Sequence, residues 1–389
     1  MTMTAATNLR MIFALTLVHF TGDLYSAFIS PLFPAFVAKL GLSLAQVGII
    51  AGTARFLAFI VQPTVGYFAD RYQSRLFPLG GLAMTVFFIP FSGLAPTFWV
   101  LLLAVALGSV GSSMYHPSVT GMVPVYAGRN AGLCMSVFNA GGTLAFAVGP
   151  VFVTAYVARF GLPALPWTMA FGAAVWLWLY RVLPTPESEG LQSLGFYRAL
   201  KDTLGHVWRT IVLIWLVMVL RAVVGQSFIT FAPVLMVQEG YSLVAAGGIF
   251  ALFTAAGTFS GLLAGHLADR IGFKPVFLTF HALMTPALLL LMYSRGPWIY
   301  LGAFVAGFMA LSTMPLGVAM AQQIAPRGRS MVASLMMGLA YGLGGLFTPV
   351  AGAFADSFGV RPVLMAISFL PPVTVVLILL FPKVGPRRA

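Results

Sequence analysis

The chain has 389 residues, 60% of them hydrophobic and only 7% charged, and a mean hydropathy of +0.98, so no water-soluble fold could cover its surface with polar groups. The formal charge of +13 raises nucleic acid as a partner, but the placement of the basic residues argues for a membrane instead. A single cysteine, Cys134, excludes an internal disulfide and a cysteine-based metal cluster.

The apolar segments are long, are separated by short breaks rich in Gly, Pro and Arg, and lack the two-residue alternation of a membrane barrel. Each reads as a spanning helix, and twelve are expected. The first covers about 10–38; it is too long for a cleavable signal and contains His19 and Asp23. The second runs 43–69, the third 76–95, the fourth 97–123, the fifth about 130–157 and the sixth 165–183. The stretch 184–208 follows, PTPESEGLQSLGFYRALKDTLGHVW, the one long polar connection, with a surface helix expected near 194–204. Helices seven to twelve are expected at about 210–237, 242–268, 275–293, 298–323, 330–355 and 362–381.

The second half repeats the first. Ser43 to Arg71 returns at Ser242 to Arg270 with a constant shift of 199 residues and eight identities in 29 positions. Pro34 and Pro233, Gly41 and Gly240, Pro117 and Pro315, and Arg129 and Arg327 keep the same offset to within one residue. A repeat of half the chain length is a duplicated architecture. The expected fold is therefore an all-α membrane protein of twelve transmembrane helices in two pseudo-symmetric six-helix bundles, 1–184 and 209–389, joined by a cytoplasmic linker at 185–208. Such parallel repeats are the symmetry of a transporter with its site between the halves.

Alternating the connections between the two sides places fifteen of the 21 Lys and Arg residues on the side of both termini and four on the other. Both termini are then expected in the cytoplasm. The remaining two, Arg55 and Arg221, fall inside helices.

Gly66-Tyr-Phe-Ala-Asp70-Arg71-Tyr-Gln-Ser-Arg75 and its echo Gly265-His-Leu-Ala-Asp269-Arg270-Ile-Gly-Phe-Lys274 resemble the loop signature between helices 2 and 3 of the major facilitator superfamily. Gln73 stands where that signature usually has glycine. Tyr115-His116-Pro117, Gly128-Arg129-Asn130-Ala-Gly132, Ser136-Val-Phe138, Gly141-Gly142, Gly149-Pro150 and His19-Phe20-Thr-Gly22-Asp23-Leu-Tyr25 resemble the fosmidomycin-resistance branch of exporters within it. The resemblance implies alternating access by rocking of two halves. It also implies a cytoplasmic gating lattice of Gly66, Asp70, Arg71, Arg75, Arg129, Gly265, Asp269, Arg270, Lys274 and Arg327. In this lattice Gly66 and Gly265 would let neighbouring helices approach, and the carboxylates would cap helix ends or pair with arginines.

Asp23 sits about mid-membrane, where a charged carboxylate costs several kcal/mol unless paired or protonated. His19 is four residues earlier, on the same helical face. The pair is the expected proton-coupling site, and a permanent ion pair is the rival reading. Arg55 and Arg221 cannot lose their protons and need anionic or carbonyl partners. With one mid-membrane carboxylate for two arginines, a surplus cation remains, which favours an anionic substrate such as a carboxylate, phosphate or phosphonate. One arginine pairing Asp23 and the other pairing backbone carbonyls is the alternative. In the superfamily the first, fourth, seventh and tenth helices line the cavity, which adds Tyr115, His116 and Gln226 to Arg221 and Arg55 as expected substrate contacts. His281 is expected to be structural, and the glycines of the fifth and eleventh helices are expected to be close-packing sites.

The sequence has no G-x-x-x-x-G-K-[ST] loop, no nucleophile and base pair, and no metal-ligand spacing. The expectation is a monomeric secondary transporter of the bacterial inner membrane, with no enzyme activity, no cofactor and no nucleic-acid partner. Within that class the reading is a proton-coupled antiporter that exports a small anionic or zwitterionic compound. A proton symporter importing an organic anion is the alternative. A third reading, a transition-metal carrier, draws on nineteen methionines and five histidines, with Met114 and His116 the close pair.

Overall fold

The structure, a computed structural model, describes residues 7–71, 74–128, 131–185, 205, 207–325 and 335–382. They are helical, and among them eleven helices are long and apolar enough to cross a membrane. In chain order these are α1 (Leu9–Leu40), α2 (Leu44–Arg71), α3 (Leu76–Leu94), α4 (Phe98–Ala127), α5 (Ala131–Phe160), α6 (Leu162–Val182), α7 (Trp208–Gln238), α8 (Leu243–Ile271), α9 (Phe273–Tyr293) and α10 (Trp298–Ile324). The eleventh expected span, α11, covers 335–358 among the described residues, in three pieces. The last, α12, is Val360–Leu379. α11 is the one expected span not among the eleven, and its expected start at 330–334 lies outside the described residues.

Local chemistry sets the ends. Asn8 accepts the Met11 N–H at the start of α1. At the start of α2, Ser43 and Gln46 make a reciprocal capping box: the Ser43 hydroxyl accepts the Gln46 N–H at 3.1 Å, and Gln46 Oε1 accepts the Ser43 N–H at 3.0 Å. Ser242 caps α8 through the Ala245 N–H. Gly41 ends α1 with a φ of 61°, a left-handed turn for which glycine has no steric penalty.

Within the bounds Met1–Leu42 with Leu57–Leu191, and Ser43–Phe56 with Gln192–Ala389, the described residues form two compact units. The expected linker, 185–208, lies mostly outside the described residues. In the first unit α1 packs on α5 and α4, and α3 packs on α4. Gly81 and Gly111 face each other so closely that a Cβ on either would lie within 2.6 Å of the other's carbonyl oxygen.

In the second unit α8 packs on α10, and α11 packs on α7. The start of α2 belongs to this unit because the Asp356 carboxylate accepts the Leu44 and Ala45 N–H groups, at 2.6 and 2.9 Å. Below that cap Gly48 and Gly52 lie against the backbone at Thr348 and Gly345. The most apolar windows of α1 and α7 are each 72% buried, more than any other span, and these two helices carry the charged residues Asp23 and Arg221.

Candidate functional site

In the first unit Asp23 is buried on α1, and three side chains converge on its carboxylate. His19 Nε2 lies 3.1 Å from Oδ2, and His116 Nε2 lies 3.1 Å from Oδ1. The Tyr115 hydroxyl donates to Oδ1 at 2.9 Å. His19 was expected on helical periodicity alone. Tyr115 and His116, expected at substrate, lie against Asp23, with Tyr115 92 residues further along the chain.

The far nitrogens of both rings are committed. His19 Nδ1 is 2.9 Å from the Phe138 carbonyl oxygen, and His116 Nδ1 is 2.7 Å from the Ser112 carbonyl oxygen. A carbonyl only accepts, so each Nδ1 carries a proton and donates it. Each Nε2 then faces a carboxylate oxygen with its remaining valence. Two lone pairs cannot share a 3.1 Å contact, so each contact requires a proton or another cation between its atoms.

Aromatic packing holds the rings in place. His19 stacks on Phe138 at 4.2 Å, Tyr115 stacks on His116 at 4.4 Å, and the two imidazoles meet edge to face at 5.1 Å. Gly142 opens room for the cluster: a Cβ there would lie 2.6 Å from Asp23 Oδ2 and 2.7 Å from His19 Nε2. The His116 side chain is 28% exposed, against 11% for His19 and 6% for Asp23, so His116 is the accessible member.

In the second unit Arg221 is buried to 2% exposure on α7. Its guanidinium lies over the Tyr341 ring, 5.8 Å from the centroid. Among the described residues its Nε and Nη2 have no hydrogen-bond partner and it makes no ion pair. Arg55 donates from Nε to Gln226 Oε1 at 3.2 Å, so Gln226 serves Arg55 rather than Arg221. Within the first unit, among the described residues, the partners of Asp23 are two imidazoles and a phenol. His281 is buried and bonded through both nitrogens to the Thr374 and Thr313 hydroxyls, a structural arrangement. Elsewhere in the unit Glu239 is bound by Arg361 and lies 3.6 Å from Arg295.

A family model described as Major Facilitator Superfamily matches residues 15–349. The chain belongs to the Major Facilitator Superfamily. Its relatives include the fosmidomycin resistance protein of Escherichia coli, 27% identical over 378 residues that cover 94% of this chain and 91% of that protein. An uncharacterized MFS-type transporter of Bacillus subtilis, YfnC, is also 27% identical, covering 93% and 90%. Among solved structures, a bacterial homolog of the lysosomal transporter Spinster matches with a TM-score of 0.77, 17% identity and 97% of each chain covered. The nucleoside transporter NupG also matches with a TM-score of 0.77, at 16% identity and with 95% and 98% covered. The superfamily fold, twelve helices in two six-helix bundles, is that of transporters.

The superfamily loop signature is described in part. Arg129 and Arg327 lie outside the described residues, as do the side chains of Asp70 and Arg71 and the surroundings of Gly66. Arg75 donates to the Tyr180 carbonyl oxygen at 3.3 Å. Lys274 donates to the Leu379 and Phe381 carbonyl oxygens at 2.7 and 3.0 Å, capping the end of α12. Asp269 and Arg270 are exposed at the end of α8. Among the described residues, a Cβ on Gly265 would meet no atom within 4 Å.

Sequence reasoning missed Tyr341 and the carbonyl of Phe138. A tyrosine beside glycines has no periodic signature, and a backbone acceptor has no side-chain signature at all.

Proposed function

We propose that this superfamily transporter is a proton-coupled antiporter of the bacterial inner membrane that exports a small anionic or zwitterionic compound by alternating access. The observation that carries the reading is Asp23, a buried mid-membrane carboxylate whose two contacts to imidazole nitrogens each need a cation. With both contacts filled by protons the cluster carries one positive charge; release of one proton makes it neutral and opens one of the two contacts. Loading and release at His19, Asp23 and His116 is therefore a one-charge switch, with His116 as its accessible member.

The buried guanidinium of Arg221, with donors left over, supports an anionic cargo group, and Arg55, Gln226 and Tyr341 extend that polar surface in the same unit. Tyr115 serves the carboxylate through its hydroxyl. The bias of basic residues supports cytoplasmic termini, and similarity to a fosmidomycin resistance protein supports efflux. Rocking of the halves would make and break the lattice of Gly66, Asp70, Arg71, Arg75, Arg129, Gly265, Asp269, Arg270, Lys274 and Arg327.

The test uses purified protein in proteoliposomes with a pH-sensitive dye inside and a panel of phosphonates, carboxylates and cationic drugs outside. An anion from the panel should drive proton movement in the wild type and none in Asp23→Asn. Counterflow of substrate without proton movement in both proteins would make Asp23 structural. Proton movement in the same direction as the cargo would replace antiport by symport.

A further inference from the structure

We infer that His19, Asp23 and His116 form a binding site for a divalent transition-metal ion of the zinc class, which takes the place of the protons between them. The inference goes beyond the proton-coupling reading, because it needs only the ligand atoms and their orientation. His19 Nε2, a carboxylate oxygen of Asp23 and His116 Nε2 all lie within 4.8 Å of one another. Two ligands on one tetrahedral zinc are about 3.4 Å apart, from metal bonds of about 2.0–2.1 Å. The nitrogen to oxygen separations, 3.1 Å from His19 to Oδ2 and 3.1 Å from His116 to Oδ1, are close to that span, and the two nitrogens face different oxygens of one carboxylate.

The orientation is the stronger point. A metal-bound histidine nearly always donates its other ring N–H to a carbonyl or carboxylate, which fixes the tautomer and aims the free nitrogen. Both rings have that arrangement here: Phe138 and Ser112 carbonyl oxygens hold the two Nδ1 atoms, so both Nε2 atoms point at the same carboxylate. The Tyr115 hydroxyl supports the third ligand by donating to Asp23 Oδ1. Stacking of His19 on Phe138 and of His116 on Tyr115 keeps the rings from turning away. Two imidazoles and one carboxylate suit zinc, copper, nickel or iron(II) and leave further coordination positions open. The partial exposure of His116 provides the entry side.

A metal ion with these three ligands fills both cation positions at once. The predicted consequence is a transporter held in one protonation-independent state, and hence inhibited by the metal.

The experiment titrates Co2+ into the purified, detergent-solubilised protein and follows its visible d–d absorption, with Zn2+ as competitor. The wild type should give the intense spectrum of low-coordinate cobalt, and Zn2+ should remove it. His19→Gln and His116→Gln should each weaken binding by at least about tenfold, while His266→Gln, at an exposed position of α8, should leave it unchanged. In the unmodified chain, Zn2+ should protect His116 from carbethoxylation as mapped by mass spectrometry; this arm needs no variant to fold. Equal Co2+ affinity in the wild type and both ligand variants, or unprotected His116, overturns the metal site. Those results leave the proton reading standing if Asp23→Asn still abolishes proton flux. Metal binding together with proton-free counterflow would retain the site and remove the coupling.

Discussion

At the scale of single residues, Gly142 decides whether Asp23 and His19 can meet. A methyl group at this position would lie 2.6 to 2.7 Å from both partners, well inside contact distance, and the space is walled by α1. Gly142→Ala should therefore push the imidazole or the carboxylate off its present position, at a packing cost of about 1–3 kcal/mol. The expected result is a lowered thermal midpoint together with loss of substrate-driven proton flux. A Gly142→Ala protein with wild-type flux would mean that the 3.1 Å contact between His19 and Asp23 is dispensable. His19 was legible because helical periodicity puts residues four apart on one face. His116 was visible only as a histidine beside a proline, and its partner across 93 residues of chain depends on how α1 and α4 pack.

At the scale of elements, the helices themselves were legible, because each needs a long apolar run and its own start and stop signals. The capping box of Ser43 and Gln46 is an example: both partners lie within one turn of each other in sequence. Asp356 was not legible, since nothing near 356 says that its carboxylate will cap a helix starting 312 residues earlier. The breaks in α11 also escaped a reading by hydropathy, which does not register where a helix is interrupted. The two caps on α2 make separable predictions. Asp356→Ala removes the acceptor of two backbone N–H groups and should cost about 0.5–2 kcal/mol, in the range of other N-cap losses. It should appear as a lower thermal midpoint in detergent, with Asp356→Asn recovering part of the loss because one amide oxygen still accepts. An unchanged midpoint in Asp356→Ala would show that the capping box alone secures that helix end.

For the whole molecule, the repeat that exposed the architecture also shows where the halves have diverged. The constant shift of 199 carries Asp23 onto Ala222 and Gly22 onto Arg221, so each half keeps the helix and places a different ion on it. Among the described residues, one unit buries a carboxylate with three side-chain partners, and the other buries a guanidinium with two unused donor atoms. A buried charge without a full set of partners destabilises the protein that holds it, and a binding site has reason to keep one. Arg221→Met, similar in length and apolar, separates the two roles. If Arg221 holds cargo, the variant should lose anion-driven flux by at least about tenfold, the equivalent of 1.4 kcal/mol, while its thermal midpoint without substrate stays level or rises. If Arg221 were part of a structural network, the same substitution would strand its partners and lower the midpoint. Adding a transported anion should raise the midpoint of the wild type and leave that of Arg221→Met unmoved, because a ligand stabilises only the folded state that binds it.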